Sequence, residues 1–525
     1  MSSGCRARAG SASPGGSRRE VRVFAVDRPR PPVAAIIATP TPEPPPCRST
    51  AARSSPRPPR IRRRRRAEEA DQPLPRRQLR PGQGGGYCRR PESRRRAAAG
   101  DGRHVRPYRA EPAVPAQGRY HWFDGDGMLH GVRVRGGKAS YRNRYVRTAG
   151  WLEEDRAGQA LYSGLAEVPD LTKLARGKEP YKNAANTALV WHNGQLLALW
   201  EGGPPHAVKV PSLETVGKYT FGGKLRHACT AHPKVDPATG EFLFFGYQPV
   251  KPYVRYSVAD SKGVIVRTTP IEIPRPVMMH DFAVTAKYTL FLDLPVTFDF
   301  KRLLGGKGPI GYEPKHGARV GVLPRHGRGD EVKWFAVEPC YVFHVLNAYD
   351  DGDEVVLLAC RMKGFPDEIT PPEKLSDKEM QETGSILHRW RLNLTTGGVK
   401  EESLDDLAAD FPRVNEALTG RPTRYGYLTT LRWDALVKHD LEKGTRQRHE
   451  MGKGRFAGEA VFVPRGKGED DGWLVTYVYD AAAGKSEMLV VEARDFAARP
   501  VARVLLPARV PFGFHGTWLP GAVLS

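Results

Sequence analysis

Four histidines lie in like settings: His232 in Ala231-His232-Pro233-Lys234, His280 in Met279-His280-Asp281-Phe282, His344 in Phe343-His344-Val345-Leu346, and His515 in Phe514-His515-Gly516-Thr517. Each lies in or beside an apolar run. A strand in such a setting points the side chain inward, where an imidazole is costly unless something uses its nitrogen. Tens to more than a hundred residues separate them, which excludes one local finger. Such spacing suits separate structural units that each deliver one ligand to a shared centre.

Imidazole suits Fe, Zn, Cu and Ni. Structural zinc usually recruits cysteine in closely spaced pairs. Cys229, Cys340 and Cys360, the only cysteines after the N-terminal region, form no C-x-x-C. An all-histidine set therefore leans toward a catalytic metal with open positions. The competing reading is that some are core histidines capped by backbone carbonyls. Six others, His227, His316, His326, His388, His439 and His449, sit among charges and turn residues and are expected to be exposed.

Holding four distant residues together is a task for a strand-rich scaffold. Met128–Arg135 and Lys138–Val146 read as strands around Gly136-Gly137, and 187–192 and 195–200 flank Asn193-Gly194, a type I′ hairpin signal. Residues 241–247, 288–292, 354–359 and 473–478 continue the pattern, with short helical excursions expected at 371–382 and 434–442. Many short strands over some four hundred residues suggest a propeller, whose inner strands converge on one axis. No run of 18 apolar residues spans a membrane. The N-terminus lacks a secretory pattern and the six cysteines lack a disulfide framework, so a reducing cytoplasm is expected.

The stretches YHWFDGDGM (120–128), AHPKVDP (231–237), MHDF (279–282), FHVLN (343–347), GEAVFVPR (458–465) and GFHGT (513–517) resemble the carotenoid cleavage oxygenase family. The likeness runs in order through 118–525. It implies an all-β, seven-bladed propeller with a non-haem Fe(II) on its axis, held by His232, His280, His344 and His515. It also implies O2-dependent cleavage of a conjugated C=C bond of a carotenoid or apocarotenoid to two carbonyl products. Four neutral imidazoles leave the iron dicationic, with open adjacent positions. No catalytic residue is implied beyond the metal centre.

A metal-bound histidine normally donates its other N–H to a carboxylate, carbonyl or water. By family pattern Glu201 serves His280, Glu459 serves His515 and Asp410 serves His344, while His232 has no carboxylate. Relatives usually carry Glu at the position of Asp410. Asp reaches about 1.5 Å less far, so its contact requires a backbone shift or a bridging water. Its place in the acidic run 401–410 suits a solvated surface charge equally well. In phenol-cleaving (lignostilbene) relatives a Lys tends to precede the first of these acids. Here Trp200 stands there and offers no charge, which favours an apolar polyene over a hydroxystilbene. Trp200 and Phe282 are expected in the substrate tunnel, with core packing as the alternative. An extended polyene also suggests peripheral membrane contact at an apolar tunnel rim.

The net charge of +24 is unevenly spread: residues 1–117 hold 27 Arg, 9 acidic residues, 19 of the 46 prolines and no Lys. Such a stretch buries too little apolar surface to order itself, so it is expected to be disordered and dispensable, with order beginning near Tyr120. It lacks the aromatics and modules of a nucleic-acid binder. Arg without Lys is also what GC-rich DNA yields in a shifted frame. One allowed coding of 108–118, shifted by one base, reads Thr-Gly-Pro-Asn-Pro-Gln-Phe-Pro-Pro-Arg, which looks like the family's N-terminal strand and turn. If 1–117 replaces native sequence, the first blade is incomplete, and an inactive propeller scaffold is the second function class.

Overall fold

Turn chemistry sets the first hairpins. Gly127–Arg135 and Lys138–Tyr145 are joined by Gly136 and Gly137 at φ 57° and 76°. Ala188–His192 and Gln195–Leu199 are joined by Asn193 and Gly194 at φ 46° and 69°, the double positive φ that a type I′ turn needs. The computed structural model describes residues 23–25, 33–40, 114 and 121–521, with gaps at 166, 169, 171, 177–178, 300, 303–304, 306–307, 367–375, 377 and 381–383. The chain divides into Met1–Thr41 with Val105–Ser525, and Pro42–His104; the latter lies outside the described residues.

The fold is all-β and propeller-like. The described residues form six four-stranded antiparallel sheets, one six-stranded sheet and one two-stranded sheet. Alternation along a strand locks neighbouring sheets together. Phe242 and Phe244 pack with Leu197 and Leu199 of the preceding sheet. Their neighbours Leu243 and Phe245 point the other way and pack with Phe291 and Leu323 of the following sheet. Both faces are therefore buried, and each such Phe contributes about 1.5–3 kcal/mol by its burial. The helix Ala149–Ala157 is a short excursion, capped by Thr148 and ended by Gly158 at φ 65°. No helix among the described residues is long and apolar enough to cross a membrane.

Two stretches of the Arg/Pro-rich segment correct the expectation that order begins near Tyr120. Val33–Pro40 is a strand inserted between the C-terminal Gly516–Leu519 and Gly127–Arg135, with Ala35 opposite both Trp518 and Val132. It completes a four-stranded sheet from both ends of the chain, so that sheet does not lack a strand. Val23–Ala25 pairs with Ala502–Leu505. The physical reason is local composition: VAAIIATP is an apolar, partly β-branched run inside a polar segment. Apart from residue 114, the rest of 1–117 lies outside the described residues.

Other expectations also change. Residues 434–442 hold the strand Ala435–Asp440, not a helix, because β-pairing on both sides overrides local pattern. The segment 371–382 lies mostly outside the described residues. His388, His439 and His449 are buried, not exposed. Arg448 and Glu450, on either side of His449, point outward along the strand, while Lys438 beside His439 is buried on Asp470 and the Ala493 carbonyl. His439 faces Asp405 at 2.9 Å and His449 Nδ1 meets the Phe496 carbonyl at 2.9 Å.

Buried neutral histidines make the fold acid-sensitive. Burial pushes His130 down to about 3 and His206 to about 4. The unfolded chain, with ordinary pKa values near 6.5, binds these protons first as the pH falls. Their contribution is therefore complete above about pH 6.5 and is lost between that value and their folded pKa values. Each costs about 1.4 kcal/mol per pH unit inside that window. The urea midpoint is expected to fall steadily from pH 7 to pH 4.5; a flat midpoint over that range would contradict the assignment.

Candidate metal centre

The four histidines sit on edge strands of four different sheets, or just ahead of them. His232 precedes Lys234–Val235, His280 precedes Ala283–Val284, and His515 precedes Gly516–Leu519. His344 lies within Tyr341–Asp351, where the pairing register shifts between Val342 and Val345. The structure brings all four together. Ring centroids lie 4.5 Å apart for His232–His280, 4.6 Å for His232–His515 and 4.7 Å for His344–His515. The Nε2 atoms of His232 and His280 are 2.9 Å apart, and those of His515 and His344 are 3.1 Å apart.

Carboxylates decide what those nitrogens carry. His280 Nδ1 lies 2.7 Å from Glu201, His344 Nδ1 2.7 Å from Asp410, and His515 Nδ1 2.8 Å from Glu459. A carboxylate only accepts, so Nδ1 holds the proton and Nε2 of the neutral ring presents a lone pair inward. The lone pairs of His344 and His515, about 3 Å apart, repel unless a cation lies between them. Two imidazoles at right angles on a metal, with bonds of about 2.0–2.1 Å, place their nitrogens about 3 Å apart. The donor set thus fits a metal ion, and His232, His280 and His344 form a group able to hold one. Among the described residues no carboxylate pairs with His232, and burial drives its pKa far down, helped by the other three rings. Burial also lowers His515 to about 4, against the pull of Glu459. Burial opposes protonation of His280 too, but Glu201 and its neighbours more than offset this.

The three acids come from the three remaining large sheets. Glu201 follows Gln195–Leu199 in a tight turn. A Cβ at Gly202 would lie 2.4 Å from the Trp200 ring, so only glycine lets the indole lie there. Asp410 reaches His344 directly, and no water is required. Its strand is bulged between Asp410 and Arg413, and Phe411 takes φ 54°. That distortion supplies the reach a shorter side chain lacks. Ser385 Oγ and the Phe411 amide donate to its oxygens, both at 2.7 Å, so Asp410 is a buried, fully engaged group and not a surface charge. Glu459 lies between Arg455–Ala457 and Val461–Pro464 and also accepts from the Gly516 amide at 2.9 Å. Burial raises its pKa, but Arg413 at 3.7 Å and His515 together bring it below the ordinary value.

Aromatic rings wall the centre, and the sequence reading missed most of them. Phe343 stands edge-on to His280 at 5.4 Å, and Phe411 lies 5.2 Å from His344 and 5.5 Å from His515. The available signal was adjacency: each is next in sequence to a histidine or acid of the site. Phe282, expected in the tunnel, is fully buried in a core cluster and packs edge-on to Phe245 at 5.2 Å. Its role is packing, because that ring faces the layer between two sheets. Trp200 remains half-buried against the Glu201 turn.

Residues 98–520 match the family described as retinal pigment epithelial membrane protein. The carotenoid 9,10(9',10')-cleavage dioxygenase 1 of Arabidopsis thaliana is 40% identical over 444 residues, 78% of this chain and 82% of its own. A solved lignostilbene dioxygenase of Pseudomonas brassicacearum matches at TM-score 0.70 and 30% identity, over 78% of this chain and 90% of its own. A variant of Synechocystis apocarotenoid oxygenase matches at TM-score 0.68 and 30% identity, over 76% of this chain and 88% of its own. An all-β scaffold around a carboxylate-braced histidine cluster is the frame of a metal-dependent oxygenase. The chain belongs to the matched family, the carotenoid cleavage oxygenases, and is a dioxygenase.

Proposed function

We propose that His232, His280, His344 and His515 bind Fe(II) and that the centre uses O2 to cleave a conjugated C=C bond of an apocarotenoid. One oxygen atom goes to each carbon, giving two carbonyl products. The observation that carries this is the 3.1 Å Nε2···Nε2 separation of His344 and His515, both braced at Nδ1 by carboxylates, beside the 2.9 Å separation of His232 from the braced His280. Iron(II), when bound, supplies the one-electron chemistry that lets O2 react with a closed-shell polyene. The protein's own part is positional. Glu201, Asp410 and Glu459 hold the Nδ1 protons and fix the ring planes. Phe343 and Phe411 present apolar surface beside the centre, which excludes water and accepts a polyene.

The six-stranded sheet counts with the six four-stranded ones as a seventh blade, so that four blades supply histidines and three supply acids. The catalytic domain is 118–525, with Val33–Pro40 as its closing strand. We place the enzyme in the cytoplasm with peripheral membrane contact, where an apolar substrate resides. Val168 and Leu161, exposed near the helical excursion, suit such a contact. No nucleic-acid partner is proposed.

Trp200 favours the apocarotenoid over a hydroxystilbene, since an aromatic wall leaves a phenolate unpaired. The likeness to the lignostilbene enzyme makes a stilbene the second reading. Offered apocarotenal and hydroxystilbene side by side, the iron-loaded protein is expected to release aldehyde faster from the apocarotenal. Faster release from the stilbene would overturn the substrate assignment and leave the iron site standing. No product from either, despite bound iron, would favour a scaffold role.

A further inference from the structure

We infer that Asp281 is a positioning residue that sets the spacing of three of the four histidines, an inference that rests on the metal-centre reading above. Asp281 is 2% exposed, and its carboxylate joins three sheets. Oδ1 accepts from Lys234 Nζ at 2.7 Å and from the Phe282 amide at 2.7 Å. Oδ2 accepts from the Val345 amide at 2.8 Å. Each donor is close in sequence to a different ligand. Lys234 follows His232 by two residues, Val345 follows His344 directly, and Asp281 itself follows His280.

The bridge also accounts for a local irregularity. The Val345 amide donates to Asp281, and the register of Tyr341–Asp351 against its neighbour shifts on both sides of Val345. That shift is where His344 leaves the regular alternation of its strand. Thr230 reinforces the same corner: its Oγ1 accepts from the His232 amide at 3.1 Å and donates to the His280 carbonyl at 3.3 Å. His515 stands outside this bridge and is held by Glu459. Lys234 cancels the charge of Asp281, so the pair adds no net charge to the centre. Its contribution is geometry: one rigid carboxylate takes donors from two other sheets at once, with one oxygen turned to each.

The test compares the full-length protein with Asp281→Asn and Lys234→Met. Fe(II) affinity is measured by chelator competition, and ligand geometry by the visible ligand-field bands of the Co(II)-loaded protein. Asp281→Asn keeps the shape but turns an amide N–H2 toward one of its donors. A ~10–100-fold loss of Fe(II) affinity is expected, as for other groups that orient metal ligands, together with shifted Co(II) bands. Lys234→Met cuts one arm, with a smaller loss and a smaller shift in the same direction. Val490→Ala, a buried substitution in a cluster that holds none of the bridge's donors, lowers the melting temperature and leaves the Co(II) bands in place. Unchanged affinity and bands in Asp281→Asn would overturn the inference. If that variant does not fold, unchanged affinity and bands in Lys234→Met would do the same. Failure of the unmutated protein to bind Fe(II) would instead sink the metal-centre reading.

Discussion

Replacing His344 with alanine is expected to leave purified protein with little iron and no measurable aldehyde release. His344 packs against all three other histidines and both phenylalanines of the wall, its Nε2 lies 3.1 Å from that of His515, and its Nδ1 meets Asp410 at 2.7 Å. Losing a group that merely orients a ligand typically costs ~10–100-fold in metal affinity or activity. Losing the ligand itself should exceed that range. The Asp410 carboxylate would keep Ser385 and the Phe411 amide, so the fold is expected to survive and the loss to be local. Metal analysis alongside far-UV circular dichroism checks this. Near-stoichiometric iron in a folded His344→Ala protein would remove His344 from the ligand set.

The second large effect is expected at Glu459. Its carboxylate is 3% exposed and serves three partners: His515 Nδ1, the Gly516 amide and Arg413. Glu459→Ala strands a mostly buried guanidinium and two N–H donors together. Breaking a buried ion pair by removing one member typically costs about 3–5 kcal/mol. Arg413 is 20% exposed and keeps a second carboxylate, Glu416, so the lower end of that range is expected. Iron affinity should fall as well, since His515 loses the acceptor that fixes its tautomer. Urea denaturation with and without iron separates the two losses. Glu459→Gln keeps the shape and one acceptor, so it should be milder on both counts. A change below about 1 kcal/mol in Glu459→Ala would show that the Arg413 pair carries no weight in the fold.

The segments around these residues were legible before any fold was known. Each histidine stands in an apolar run, and an apolar run with an imidazole in it asks for a partner. The hairpins at Gly136-Gly137 and Asn193-Gly194 were legible for the same local reason, since few residues tolerate consecutive positive φ. Val33–Pro40 was harder to see. Its apolar run is short, and the arginines and prolines around it dominate any average over the segment; what holds it is pairing with strands nearly a hundred and nearly five hundred residues away. His388, His439 and His449 misled for a related reason. Around His449 the charged Arg448 and Glu450 point outward while the histidine between them points in, and at His439 the neighbouring Lys438 is itself paired inside the fold.

Asp410 draws the boundary most clearly. Side-chain length alone said that an aspartate falls short of His344. The bulge after it and the φ of 54° at Phe411 move the backbone and close the gap to 2.7 Å. By itself the sequence determined the family, the strand-rich class and the residue types able to hold a metal, because these follow from local pattern and motif. Tertiary structure alone decided that the four histidine rings gather in two close Nε2 pairs, that Phe343 and Phe411 stand against them while Phe282 packs in the core, and that Asp410 reaches its histidine. Those facts depend on distances between segments far apart in the chain, and such distances are set by how sheets pack on one another and not by any residue's own preference.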